Sequence, residues 1–339
     1  MHREIPFVSV VIPTRNRREL LRSEIESLFN QSYPTDCFEI IVVDNSSSDG
    51  TDKMVESLQD NAPSILRYYK KTDDGPGSSR NLGISKAKGD IVAFIDDDCI
   101  ADPHWIENGV AKMSGEVGLV QGKTLPNPFQ ARKTFSRTKE ITSETSNYQT
   151  CNIFYRKDAL DQVGGFSSDF IGVDRFGIPM LGGEDTDLAC RVKKAGWKSL
   201  FADDAIVYHN VFDLSPWAFC KSLISYQHCR HFFYILPTLF KRHPELRSTD
   251  IFYRRYFLGR HRAYFALALV SIIAGMLIHP IFFLLAFPYA VQLLTWSFYW
   301  SPLSRYPQRF IVLIIFFLRD FIDFILLASG SIIYRSIVL

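Results

Sequence analysis

Three consecutive carboxylates, Asp96-Asp97-Asp98, follow directly on the apolar run Ile91-Val92-Ala93-Phe94-Ile95. Open α/β sheets place their ligands past the C-terminal ends of strands, and clustered acids released there suit a divalent cation held against a phosphorylated substrate. Acids in a turn also solvate themselves without any ion. A second acidic cluster, Gly182-Gly183-Glu184-Asp185-Thr186-Asp187, opens a helix whose buried face is marked by Leu188, Val192 and Ala195. Its glycines let backbone approach a ligand closely, and the helix dipole favours ionised carboxylates in the first turn. The same acids serve equally well as simple helix stabilisers. A nucleotide-dependent enzyme is the first hypothesis for these clusters.

The elements that must position them alternate. Phe7–Pro13 reads as a buried strand, and a helix with Leu20, Leu21, Ile25, Leu28 and Phe29 on its apolar face follows. Further strands are expected at Phe38–Val43, Ile65–Tyr69 and Ile91–Ile95, with helices at Asp52–Leu58 and Gly77–Ala87. Such alternation predicts parallel pairing through right-handed crossovers. Thr14, Arg15, Asp44, Asp49, Asp96 and Asp98 all lie just past strand ends, on one edge. Gly75-Pro76-Gly77 matches neither the dinucleotide nor the P-loop fingerprint, so phosphates would be neutralised by metal and arginine.

The chain of 339 residues carries a net charge of +2, too small to imply nucleic-acid binding. Its six cysteines lack metal spacing, and no signal-peptide core opens the sequence. Reduced thiols in the cytosol fit this pattern. Residues 240–262 concentrate Lys241, Arg242, Arg247, Arg254, Arg255, Arg260 and Arg262 against Glu245 and Asp250, whereas 263–300 contain no Asp, Glu, Lys or Arg. A membrane hairpin is expected, with arms 263–278 and 281–300 and a bend at His279-Pro280. It returns Arg305 and Arg309 to the side of the basic block, as the positive-inside rule requires. Residues 310–334, interrupted by Arg319, Asp320 and Asp323, fit a third span or a re-entrant segment. A buried helical domain of a soluble protein is the competing reading of this third of the chain. Residues 215–262, with Trp217, Phe219, Tyr226, His228, Arg230 and Tyr234, read as amphipathic interfacial helices.

Five segments in order resemble the inverting glycosyltransferases of family 2, of the bacterial and archaeal membrane-anchored type. They are Val8–Arg17, Val42–Thr51, Ser79–Gly83, Phe94–Asp98 and Gly183–Leu188, within a match covering roughly Val8 to His209. The resemblance implies an α/β GT-A fold, Rossmann-like, with a mostly parallel central sheet and flanking helices. It also implies a division into a cytosolic catalytic domain at 1–214, interfacial helices at 215–262 and a membrane domain at 263–339. On the donor side it implies Pro13, Thr14, Arg15, Asp44, Arg80, Asp96 and Asp97. Asp44 would recognise the base, Arg80 would lie near the pyrophosphate, and Asp97 is expected to turn to solvent. Mn²⁺ or Mg²⁺ would be held by Asp98 directly, with Asp96 at the ribose or a metal-bound water and His209 as a further ligand. Asp185 matches the family's base, with Glu184 beside it. Cys151, Asn152, Gly164, Gly165 and Gly183 fall on the acceptor side. The polar, basic stretch Leu125–Thr150 is expected to be a mobile loop over the acceptor site or one that touches anionic lipid.

What this implies is metal-dependent, inverting transfer of one sugar from a nucleotide sugar, UDP-sugar favoured, to a lipid-linked or membrane-embedded acceptor. The catalytic domain would face the cytosol at the inner membrane. The Gln-x-x-Arg-Trp motif of processive synthases is absent, which points away from polymer extrusion. A polyprenyl-phosphate sugar synthase, whose acceptor needs no strong base, and a catalytically silent membrane scaffold are the alternatives.

Overall fold

Continuous apolar runs, rather than alternating ones, mark the early strands, and such strands must be covered on both faces. β1 (Val8–Thr14), β2 (Phe38–Asn45), β3 (Ile65–Lys71) and β4 (Ile91–Ile95) pair in parallel in the order 3-2-1-4. Helices α1 (Arg18–Phe29), α2 (Thr51–Gln59) and α3 (Pro76–Lys86) make the crossovers. The computed structural model describes residues 5–72, 75–133, 135–170, 182–215, 217–218, 227–254, 257–300 and 306–339. They fall into two units, one of residues 1–131 and 138–212, the other of 132–137 and 213–339.

The remaining elements of the first unit are β5 (Cys99–Ala101), α4 (Trp105–Ala111), β6 (Val117–Pro126), β8 (Asn152–Arg156), α5 (Lys157–Val163), α6 (Glu184–Lys194) and β9 (Lys198–His209); β7 (Ser136–Arg137) belongs to the second. The full sheet runs 3-2-1-4-8-6-9-5. Four of its seven pairings are parallel, and β4–β8, β8–β6 and β9–β5 are antiparallel, so the sheet is more mixed than the sequence suggested. The period of two along each strand sorts the core into two layers. Val8, Val10 and Ile12 with Ile40 and Val42 pack on Leu21, Ile25 and Leu28 of α1. Val11, Ile41, Val43, Val92 and Phe94 pack on Ile84 of α3 and on Leu188 and Val192 of α6. At Gly83 of α3 an added Cβ would lie 2.3 Å from Val11 Cγ1, so only glycine lets this helix sit so close to β1.

Two registers build the site edge. Ile95 faces Asn152, which brings Thr150 and Cys151 beside the acids that leave β4. Cys99 faces His209, which brings the imidazole beside Asp98. The segment expected as a mobile loop is tethered instead. Thr124 and Ile141 exchange backbone hydrogen bonds of 2.9 and 2.8 Å, and Tyr148 is buried.

The second unit contains α7 (Gln227–Arg242), α8 (Arg260–Leu277), α9 (Phe287–Trp300) and α10 (Tyr306–Tyr334). Among the described residues one helix, α8, is long and apolar enough to cross a membrane. The expected second arm is not one helix: a 3-10 segment, Pro280–Ala286, precedes the 14-residue α9, whose rise spans about 21 Å. Pro288, lacking an N–H, is tolerated because it falls in the first turn of the new helix. The 310–334 segment belongs to the 29-residue α10. Its acids are buried and paired: Arg262 bonds Asp323 at 3.0 Å, while Arg319 at 2.7 Å and Tyr289 at 3.0 Å hold Asp320. Phe310, Ile314, Phe317 and Phe321 of the same helix are exposed. Phe219, Tyr226 and Arg305 lie outside the described residues, as do the side chains of 228–234 and Arg309.

Glu24 of α1 is fully buried, and neither carboxyl oxygen has a hydrogen-bond partner among the described residues. Burial, reinforced by the charges of Asp97, Asp98 and Asp96, pushes its ionisation well above the usual 4.5. Neutral in the fold and ionised in the unfolded chain, it costs stability progressively as pH rises above that usual value. Glu24→Gln is therefore expected to raise Tm at pH 8, with the gain shrinking toward pH 4.5. Thermal unfolding followed by circular dichroism across that range checks it, and a pH-independent change would contradict the assignment.

Candidate active site

The chain leaves β4 at Ile95 and turns into β5 within four residues, so three aspartates crowd the end of a buried strand. Left alone, such a cluster would repel itself in a region shielded from water. The fold answers with three cations. Arg80 of α3 donates from Nη2 to Asp96 Oδ1 at 3.1 Å. Lys139 Nζ donates to Asp96 Oδ2 at 3.0 Å. Arg17, from the turn before α1, donates from Nη1 to Asp97 Oδ1 at 2.8 Å and to Asp98 Oδ2 at 3.0 Å. Burial alone would raise the ionisation of Asp96, but Lys139 and Arg80 hold it well below the usual carboxylate range.

Asp97 does not face solvent. It is 4 % exposed and accepts a 2.8 Å hydrogen bond from Thr14 Oγ1 in addition to the Arg17 contact. Burial nevertheless pushes its ionisation up to about 6. Both its oxygens are spent inside the protein, which makes it an anchor for Thr14 and Arg17 rather than a nucleotide contact. Asp98 is arranged differently. One oxygen meets Arg17, and the other, Oδ1, faces His209 Nε2 at 3.5 Å. His209 Nδ1 lies 2.8 Å from the backbone carbonyl of Asn210, an acceptor, so Nδ1 carries the proton. In the neutral ring the Nε2 lone pair then points at a carboxylate oxygen. Two acceptors facing one another at this separation fit a cation between them, and a backbone carbonyl fixing the far nitrogen is the usual support for a histidine ligand. Cys99 also comes within ligand reach of this pair, but burial pushes its thiol well above its ordinary range, which suits it poorly as a thiolate ligand.

The second acidic cluster meets the first through Arg80. Gly182 and Gly183, at φ of 99° and 89°, occupy the left-handed region and start α6 abruptly. Glu184 Oε1 and Asp185 Oδ1 then each lie 3.8 Å from Arg80 Nη1. Asp185 also accepts from the backbone N–H and the hydroxyl of Thr150, both at 3.1 Å. Burial raises Asp185 despite these donors, and burial with the Asp185 charge pushes Glu184 up to about 7 against the pull of Arg80. Glu184 Oε2 is buried without a hydrogen-bond partner among the described residues. Asp187, by contrast, is fully buried and bound at 2.7 Å by Arg191, one turn along the helix, a structural pair.

Other expected residues have structural work. Asp44 is fully buried and accepts from Ser47 N–H at 2.8 Å and from the Tyr68 hydroxyl. Pro13 is half-buried, and Arg15 is exposed at the same edge. Asp49 accepts from the Arg18 N–H and the Thr51 hydroxyl, capping α1 and α2. The acceptor-side expectation fails for Cys151 and Asn152, which are fully buried. Asn152 spends its amide on Trp105 Nε1 at 2.8 Å and on the carbonyls of Lys123 and Ala205 at 2.9 and 3.0 Å. Gly164 and Gly165, at φ of 73° and 68°, end α5 in a turn clamped by Arg191 on the carbonyls of Val163 and Gly165 and by Asn81 on Phe166. Sequence reasoning missed Arg17 and Lys139 as members of the site. Their signal was a cation in an otherwise unassigned loop, visible only once loops were placed.

Glu184 and Asp185 titrate as neighbours, so neutralising one must ease ionisation of the other. A ¹³C NMR titration is expected to show the Glu184 carboxyl changing state near pH 7, and moving to lower pH in Asp185→Asn. An unmoved midpoint would separate the two groups.

The Glycosyl transferase family 2 profile matches residues 9–168, and that of Glycosyl transferase family group 2 matches residues 91–319. The glycosyltransferase AglE of Haloferax volcanii is 32% identical over 214 residues, 60% of this chain and 67% of that protein. The GalNAc(5)-diNAcBac-PP-undecaprenol beta-1,3-glucosyltransferase of Campylobacter jejuni is 39% identical over 95 residues, 28% of this chain and 30% of that one. The match spans 39% of an uncharacterized Haemophilus influenzae glycosyltransferase and 51% of the probable glycosyltransferase YdaM of Bacillus subtilis. Among solved structures, the mannosyltransferase PcManGT of Pyrobaculum calidifontis, in complex with GDP-Man and Mn²⁺, aligns over 97% of this chain and 87% of its own at a TM-score of 0.58 and 18% identity. That likeness establishes the GT-A-like fold, and with the profile covering most of the sequence the chain belongs to the family 2 glycosyltransferases.

Proposed function

We propose that this glycosyltransferase moves a single sugar, with inversion, from a nucleotide sugar to a lipid-carried acceptor at the cytosolic face of the cytoplasmic membrane. The observation that carries the reading is the bridge at Arg80, which joins the end of β4 to the first turn of α6. It sets a phosphate-side carboxylate and a candidate base against one buried guanidinium. The acids Asp96, Asp97, Asp98, Glu184 and Asp185 outnumber the cations Arg17, Arg80 and Lys139 that face them, which favours a further cation at the cluster. Asp98 and His209, with Asp96 alongside, would hold Mn²⁺ or Mg²⁺. When bound, the ion supplies Lewis-acid stabilisation of charge on the departing diphosphate.

The chain's own groups do the rest. Asp185, oriented by Thr150 and raised by burial, takes the proton of the acceptor hydroxyl as its oxygen bonds to the anomeric carbon. The bond from that carbon to the diphosphate breaks, and its electron pair leaves with the nucleotide. Asp44 supports recognition of a base N–H, with uridine favoured, and the GDP-Man complex of PcManGT makes a guanosine donor the rival. The undecaprenol-linked substrate named for the Campylobacter relative supports a lipid-carried acceptor. Membrane location is supported by α8, by the exposed apolar faces of α8 and α10, and by the basic run at 240–262.

Full-length protein in detergent, given UDP- or GDP-sugars, Mn²⁺ and a polyprenyl-diphosphate-sugar acceptor, tests this. Asp185→Asn is expected to slow transfer about 10²–10⁴-fold while leaving donor affinity unchanged. Full transfer by Asp185→Asn would reject Asp185 as the base and indicate an acceptor, such as a polyprenyl phosphate, that needs none.

A further inference from the structure

Lys139 reaches the acid cluster from a segment that no motif marks. Two tethers deliver it. On one side the Thr138 hydroxyl donates to the His209 carbonyl at 3.2 Å, and on the other Ile141 and Thr124 exchange backbone hydrogen bonds. Between them the side chain extends to Asp96 Oδ2. Its charge acts on Asp98 and Asp185 as well as on Asp96.

The three cations of the cluster differ in what holds them. Arg80 is 6 % exposed and spans three carboxylates. Arg17 is held by Asp97, whose oxygens turn inward to Thr14 and Arg17. Among the described residues Lys139 donates to Asp96 alone, and its side chain is 40% exposed, against 46% for Arg17. The flexible four-carbon stem can carry its point charge from one anion to a neighbouring one. Asp96 is also the carboxylate that the proposed donor chemistry would engage, so a ligand drawing on Asp96 deprives Lys139 of its partner while bringing two phosphate charges to the same place.

We propose that Lys139 is a donor-binding residue: as the nucleotide sugar enters, its ammonium exchanges Asp96 for the diphosphate and neutralises charge on the leaving group. This rests on the nucleotide-sugar reading of the site. Before the donor enters, the ammonium acts as a counter-charge to Asp96. It therefore competes with a metal ion arriving alone and cooperates with one arriving alongside a diphosphate.

The test is binding to the purified full-length chain, wild type against Lys139→Gln and Lys139→Arg, all checked for an unchanged circular dichroism spectrum. Mn²⁺ alone is followed by loss of the free-ion EPR signal, and UDP, UMP, GDP and GMP are titrated calorimetrically in Mn²⁺. In Lys139→Gln, Mn²⁺ alone is expected to bind more tightly, and the preferred nucleoside diphosphate about 10- to 100-fold more weakly, the range for a charged hydrogen bond. Its monophosphate should bind unchanged, and Lys139→Arg should recover part of the diphosphate affinity. Equal losses for diphosphate and monophosphate, with weaker Mn²⁺ binding, would make Lys139 a prop for Asp96 and overturn the proposal. Unchanged diphosphate affinity would overturn it too. Wild-type protein that binds no nucleoside diphosphate in Mn²⁺ would overturn the nucleotide-sugar reading itself.

Discussion

One buried guanidinium holds this site together. Arg80 lies against Asp96 on one side and Glu184 and Asp185 on the other, three carboxylates that α6 and the end of β4 bring into a space largely closed to water. At low effective dielectric, like charges at these separations repel by several kcal/mol. Without a fixed cation between them the acids would have to protonate or move apart. Arg80 is itself expensive to bury, and α3 can carry it there because Gly83 lets that helix lie directly on β1. The steric rule at one glycine and the electrostatic rule at one arginine thus serve the same geometry. The residue three positions before the close contact is the one that bridges the two clusters.

Division of labour among neighbouring acids follows from what each already bonds. Both oxygens of Asp97 are engaged by Thr14 and Arg17, Asp187 is held by Arg191, and Asp49 by the starts of two helices. Asp98 retains an oxygen facing a histidine lone pair, and Asp185 retains lone pairs beyond its Thr150 donors. Chemistry is left to the carboxylates that the fold does not fully satisfy. The second unit follows the opposite rule: Asp320 and Asp323 of α10 are paired within it, while its apolar side chains stay exposed.

The parallel half of the sheet was legible because strand and helix alternate there, each strand a continuous apolar run. The other half was not. β6, β8, β9 and β5 pair without intervening helices in strict alternation, and their order depends on contacts between distant segments. The same limit separates the site residues. Asp96 and Asp98 stand out by composition at the end of an apolar segment, whereas Asp185 and His209 are singled out by the family resemblance. Lys139 and Arg17 sit in loops whose destinations are fixed by the Thr124–Ile141 bridge and by the turn before α1. Asp97, expected to turn to solvent, is covered where β4 turns into β5 because Arg17 arrives from a different loop. Asn152, placed on the acceptor side by the resemblance, is buried under Trp105 by the register that aligns it with Ile95.

Asp98 and His209 are proposed to hold a divalent ion that recruits a nucleotide sugar. Thermal unfolding of the full-length chain with UDP- and GDP-sugars, each with and without Mn²⁺, bears on it most directly. The account predicts that one donor class raises Tm with Mn²⁺ far more than donor or Mn²⁺ does separately, and that Asp98→Asn abolishes the joint effect. Stabilisation that ignores the metal, or that survives Asp98→Asn unchanged, would contradict it.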